Sequence, residues 1–215
     1  MSWGPRHEEV FARHGFRLDE DAHERWRSEA ADGLEHGPES ASREQYRAWE
    51  RERLRRLVTA CGVGPDDATR LVEDLDSASK GFTMAAYDDA APVLGELRRR
   101  GLTVAVCSNW DWDLDRALAQ SGLDGLVDVA VTSARAGARK PHPRIYRYTL
   151  ERCAVAADQA LFVGDSWQPD VEGPRALGLS PVHIWRDGNS PVESPPPAEG
   201  IPRIRDLWGV MDHLD

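Results

Sequence analysis

Lysine is almost absent from this sequence. Of its 27 cationic side chains only Lys80 and Lys140 carry an ammonium group, and arginine supplies the rest. Cysteine is scarce too: Cys61, Cys107 and Cys153 are odd in number, far apart and without a Cys-x-x-Cys pair. That excludes a disulfide-framed secreted domain and points to reduced thiols in a cytoplasmic protein. No apolar run approaches the roughly 20 residues that cross a bilayer. The opening residues, MSWGPRHEEVF, lack the basic region and apolar stretch of a signal peptide. A net charge of −10 argues against nucleic acid or an anionic membrane as partner. The run Arg51-Glu-Arg-Leu-Arg-Arg56 is diluted by acids and reads as a solvated helix face. There are no internal repeats, and no feature selects an oligomeric state.

What is present falls into two textures. Residues 1–80 are rich in Glu, Arg and Ala. Their apolar residues recur near a period of 3.6: Val10 and Phe11, then Trp26, then Tyr46, Trp49, Leu54, Leu57 and Val58. Breaks at Gly15, at 33–38 and at Gly62–Pro65 divide the segment into four helices. Ser42 with Gln45 fits a capping box opening the third, and Asp66 or Asp67 is placed to cap the fourth. Residues 81–215 alternate helix and strand. Asp88 or Asp89 caps a helix that stops at Gly101, and strands are expected over 102–107, 127–132, 161–164 and 181–185. Asp111 caps the helix after the first strand, and Pro143 opens another. Residues 187–202 read as a surface loop before a short C-terminal helix. The alternation implies an α/β fold, a parallel doubly wound (Rossmann-like) sheet beside a helical module.

Ligands of open parallel sheets bind at the C-terminal strand ends. There the sequence places Ser108-Asn109 after one strand and Gly164-Asp165-Ser166 after another. Asp165 and Asp170, five residues apart, suit a hard cation with oxygen ligands. The Ser108 hydroxyl and the N–H groups from Asn109 onward can donate to phosphate, helped by the N-terminus of the following helix. Lys140 stands where a compact ammonium is needed in a chain that otherwise uses arginine. It is expected to neutralise both a phosphate and the neighbouring Asp165 carboxylate. Trp110 and Trp167 follow two of these residues and are candidates to line a substrate pocket.

Together these segments resemble the haloacid dehalogenase superfamily. Val-Cys-Ser108-Asn109 is similar to its second motif, Arg139-Lys140-Pro-His-Pro143 to its third, and Gly164-Asp165 with Asp170 to its fourth. Residues 1–80 lie where subfamily I members insert a four-helix cap. The resemblance implies that Ser108 binds the transferring phosphoryl group and that Lys140 orients it and the nucleophile. It implies that Asp165 ligates Mg²⁺ with Asp170 supporting it. The acidic fourth motif favours the Mg²⁺-dependent phosphatases over the metal-free dehalogenases, and a helical cap implies a small phosphorylated substrate.

One element of the resemblance is missing. The family's first motif, Asp-x-Asp-x-Thr, supplies the nucleophile and the general acid, and no such string occurs in the 215 residues. Asp111-Trp-Asp113-Leu-Asp115 is the nearest, and Asp111 there reads as an N-cap. Two expectations follow. Either the natural protein carries some ~15–20 further residues with this strand, or the chain is a non-catalytic binding or interaction module that closes its sheet differently or borrows a strand. The family's strand order puts the missing strand between 102–107 and 161–164, a slot about 10 Å wide at a strand spacing near 4.8 Å.

Overall fold

Helices form in the first part of the chain where the apolar spacing predicts them. In the computed structural model, which describes residues 6–31, 35–81, 83–186 and 200–214, α1 spans His7–Arg13, α2 Glu20–Ala31, α3 Arg43–Ala60 and α4 Pro65–Ser79, with a 3₁₀ turn at Pro38–Ala41. The chain divides into two units, Met1–Ala85 and Ala86–Asp215. In the first, Val10 and Phe11 of α1, Leu54, Leu57 and Val58 of α3, and Leu71, Val72 and Leu75 of α4 share one buried cluster. Ser42 caps α3 as expected, its Oγ accepting the Gln45 N–H at 3.2 Å. Only half of the box forms, because Gln45 Oε1 takes the Ser42 hydroxyl at 3.3 Å. At α4, Pro65 occupies the first position after Gly64, so Asp66 and Asp67 lie within the first turn instead of capping it.

Arg53 corrects the expectation of a solvated face. It is 5% exposed, its guanidinium lying 4.7 Å from the Trp26 ring centroid and 4.8 Å from that of Trp49. It donates to the Trp26 carbonyl and faces Glu29 at 3.4 Å. A planar, weakly hydrated cation tolerates this stacked site where an ammonium would not.

The second unit alternates as predicted. Its elements are α5 (Ala90–Arg99), β1 (Ala105–Ser108), α6 (Leu114–Gln120), β2 (Val129–Thr132), α7 (Ser133–Ala136), α8 (Pro143–Cys153), β3 (Leu161–Gly164), β4 (Ser180–Ile184) and β5 (Arg203–Ile204). Every strand pairing is parallel. Among the described residues the strands form two sheets, β1-β2 and β3-β4-β5, not hydrogen-bonded to each other. Burial follows this division: β4 is buried along four of its five residues, whereas no residue of β1 or β3 is fully buried. The apolar run from Leu102, expected to be covered on both faces, begins its strand only at Ala105 and leaves Leu102 exposed.

Three smaller differences have local causes. Asp89 does not cap α5 with its side chain. It accepts from Arg186 at 2.8 Å and from the Leu207 N–H at 2.7 Å, tying down the C-terminal segment. The unexpected β5 forms because Pro202 O accepts the His183 N–H at 2.9 Å and Ile204 O the Trp185 N–H at 2.8 Å. The C-terminal helix is a 3₁₀ turn, Leu207–His213, capped by Asp206. Most of the expected surface loop, residues 187–199, lies outside the described residues.

His7 of α1 packs on His23 and Trp26 of α2, at ring distances of 5.2 and 4.9 Å, and its Nε2 lies 3.3 Å from Ser79 Oγ of α4. Burial first, then the charges of His23 and Arg27, lower its pKa to about 4. The unfolded chain, with His7 near its ordinary 6.5, therefore binds more protons between the two values. The stabilisation is complete above about pH 6.5 and lost as pH falls towards 4, in all about 3 kcal/mol. His7→Phe should remove this part of the acid sensitivity. The check is the urea midpoint of wild type and variant at pH 7 and pH 4.5, where the wild type should fall further than the variant.

Candidate functional site

Three loops meet at the C-terminal ends of β1 and β3. The first leaves β1 through Ser108 and Asn109. The Asn109 side chain lies along the backbone of Lys140, its Oδ1 accepting the Lys140 N–H at 2.6 Å and its Nδ2 donating to the Lys140 carbonyl at 3.0 Å. Asn109, expected among the anion-binding residues, thus uses its amide oxygen and one amide hydrogen to hold the lysine loop. The helix N-terminus expected beside Ser108 is displaced as well. Asp111 Oδ1 accepts the Asp113 N–H at 2.8 Å, closing a turn, and α6 begins only at Leu114. The loop is held from α7: Ser133 Oγ donates to the Trp110 carbonyl at 3.0 Å and Arg135 to that of Trp112 at 2.6 Å.

The second loop presents Lys140, whose ammonium is 2.6 Å from Asp170 Oδ1, with side-chain exposures of 12% and 6%. The partner is Asp170 and not Asp165 as expected. The cause lies in the third loop, where Asp170 sits on a single π-helical turn, Gln168–Glu172, and folds back over Gly164. A Cβ on Gly164 would lie 2.4 Å from Asp170 Cγ, so the glycine makes room for the carboxylate. Asp170 Oδ2 accepts the Ser166 N–H at 3.0 Å, and Lys140 Nζ also lies 5.4 Å from the Phe162 ring centroid. Asp165 is exposed, with the Ser166 hydroxyl 3.4 Å from its Oδ1 and the His183 Nε2 3.2 Å from its backbone carbonyl. Trp167 is turned aside: its Nε1 donates to Glu172 Oε1 at 3.0 Å and its ring meets His183 edge-on.

Two residues of this site carried no recognisable signal. Tyr146 of α8 is fully buried and donates to the Pro169 carbonyl at 2.6 Å, holding the π-turn that carries Asp170. Burial pushes its phenol well above the ordinary tyrosine range. His183 lies within an apolar strand and reads as core. Nearby, burial raises the Cys107 thiol, so it stays protonated.

The parallel α/β unit thus brings a lysine–aspartate pair and a second, exposed aspartate together at its strand ends. The family description of haloacid dehalogenase-like hydrolases matches residues 4–178, and the chain belongs to that family. It is 34% identical over 153 residues to haloacid dehalogenase-like hydrolase domain-containing protein 3 of Mus musculus, covering 69% of this chain and 59% of that one. It is 34% identical over 163 residues to the phosphoserine phosphatase of Thermus thermophilus, covering 75% and 64%. A solved dehalogenase with an intermediate complex superposes with a TM-score of 0.57 at 26% identity, over 99% of this chain and 92% of that one. The matched segment spans about three fifths of the length of the two curated relatives.

Gly164→Ala should drive Asp170 from its place and leave Lys140 without its counter-ion. Breaking a buried pair costs about 3–5 kcal/mol. Gly95→Ala, in α5 with nothing within 4 Å of the added carbon, should instead stabilise by up to about 1 kcal/mol. Urea unfolding of the two variants should shift in opposite directions.

Proposed function

We propose that these loops form the charge-stabilising part of a Mg²⁺-dependent phosphatase site for a small phosphate monoester. In this reading the protein is cytoplasmic, and the helical residues 1–80 serve as the cap of the core, 81–215. Among the described residues no helix is long and apolar enough to cross a membrane. The observation that carries the reading is the Lys140–Asp170 pair, held between Asn109 on one side and Gly164 on the other.

An ammonium has three donors, and Asp170 engages Lys140 through one oxygen at 2.6 Å. The remaining N–H groups can point at phosphoryl oxygens, with the Ser108 hydroxyl donating from the end of β1. Asp170 is the orienting base of the lysine and Asp165 the cation-holding residue. No cluster of three ligating side chains exists among the described residues. The donors nevertheless fit Mg²⁺, which keeps several waters and takes one or two carboxylates together with substrate phosphate. When bound, the ion would supply positive charge to the phosphoryl oxygens.

Attack on phosphorus needs a nucleophile in line with the leaving group, and the family's Asp-x-Asp-x-Thr is not in these 215 residues. Turnover is therefore assigned to a polypeptide that also presents that strand, and binding without turnover to this chain by itself. A non-catalytic binding module is the second reading, favoured by β1 and β3, which are partly exposed and not hydrogen-bonded to each other among the described residues.

Hydrolysis of an aryl phosphate with Mg²⁺ separates these readings, measured on this chain and on one preceded by an Asp-x-Asp-x-Thr strand. Turnover by the longer protein alone is the expected outcome, and turnover by neither favours the binding module. Dehalogenation of a 2-haloacid that survives EDTA would overturn the phosphatase assignment. In the longer protein, Asp165→Asn should lower Mg²⁺ affinity at least about tenfold; an unchanged Mg²⁺ titration would remove Asp165 from the site. Lys140→Arg should lose most activity, because a broad fork cannot replace a compact charge between Asn109 and Asp170.

A further inference from the structure

The peptide group joining Asp165 to Ser166 is held at both ends. Its N–H donates to Asp170 Oδ2 at 3.0 Å. Its carbonyl faces the Nε2 of His183 at 3.2 Å. His183 pairs opposite Gly164 in the parallel register, is 1% exposed, and packs against Trp167 at 5.5 Å and Trp185 at 5.8 Å. A carbonyl oxygen can only accept, so the hydrogen of the neutral imidazole is on Nε2 and its Nδ1 is bare. That Nδ1 is buried and has no hydrogen-bond partner among the described residues. An unpaired buried acceptor is unfavourable, and an apolar side chain would fill the same space without it. Packing therefore does not account for an imidazole here, whereas the donor on its other nitrogen does.

We infer that His183 is a positioning residue for Asp165. It fixes the carbonyl end of the 165–166 peptide while Asp170 fixes the N–H end, so that plane cannot rotate. The direction in which the Asp165 carboxylate leaves β3 is thereby set. Because Asp170 also holds Lys140, one set of hydrogen bonds aligns the ammonium and the exposed carboxylate relative to each other. The inference rests on the proposed function only in taking Asp165 as the residue that holds the cation.

The test uses the full chain and three variants. His183→Gln can place an amide N–H where Nε2 stands, His183→Asn is too short to do so, and His183→Leu fills the space without a donor. Four quantities are measured: the imidazole tautomer of the wild type by ¹⁵N NMR, hydrogen exchange at the Ser166 amide, Mg²⁺ affinity by calorimetry with inorganic phosphate present, and the urea midpoint. The expected result is an Nε2–H tautomer, with His183→Asn and His183→Leu each weakening Mg²⁺ binding about tenfold or more. Ser166 exchange should be faster in both, the His183→Leu midpoint should not fall, and His183→Gln should restore binding and protection. An Nδ1–H tautomer would overturn the inference, as would wild-type exchange at Ser166 in His183→Leu. So would a midpoint lowered equally in all three variants, which is the signature of packing alone. Absence of Mg²⁺ binding by the wild type would instead sink the proposed function, with the tautomer and the Ser166 exchange still deciding the role of His183.

Discussion

The buried pair between Lys140 and Asp170 is the contact on which the arrangement of the strand ends depends. It joins a loop that follows β2, in one sheet, to a turn that follows β3, in the other. Taking both charges out of water is costly, and their attraction offsets that cost only when the remaining polar atoms are also satisfied. Here the second oxygen of Asp170 accepts from Ser166, and Asn109 holds the lysine backbone on both its N–H and its carbonyl, while the other ammonium donors stay open to a ligand. Such a pair is weak evidence for stability and good evidence for fixed position.

The same chain shows why its cations are not interchangeable. Arg53 lies over two indoles in the helical unit, where a delocalised, weakly hydrated charge can be buried. Lys140 occupies a point-like site over Phe162, against a carboxylate that a missing Cβ admits. A guanidinium would present a fork where one oxygen waits, and an ammonium between the tryptophans would lose its water without replacing it. The scarcity of lysine made Lys140 conspicuous in the sequence. The abundance of arginine hid Arg53, which stood in a run of charges that resembled a solvated face.

What could be read in advance was what repeats or what is chemically exclusive. The apolar run 161–164 matches β3 residue for residue, Pro143 opens α8, and Ser42 caps α3. Ser108, Lys140 and Asp170 could be singled out because a parallel sheet delivers its ligands at strand ends, and the structure pairs the last two. What escaped depends on partners distant in sequence. The choice of Asp170 over Asp165 as the counter-ion is set by a π-helical turn and a glycine without a side chain. The commitment of the Asn109 amide depends on a backbone 31 residues away. Asp111 had the right identity for a cap but closed a tighter turn on Asp113. His183 interrupts an apolar strand with no periodic signature, and a histidine in such a strand is ordinarily core.

The near-absence of lysine also shapes how the protein meets electrophiles. Its two side-chain amines are both held by carboxylates, Lys80 by Asp76 at 2.6 Å and Lys140 by Asp170. Lys80 is about a third exposed, and Lys140 lies almost wholly inside. An amine-directed acylating reagent, or an acetyltransferase, therefore meets one readily accessible side-chain amine in this chain. An adduct on the other would remove the charge that pairs with Asp170.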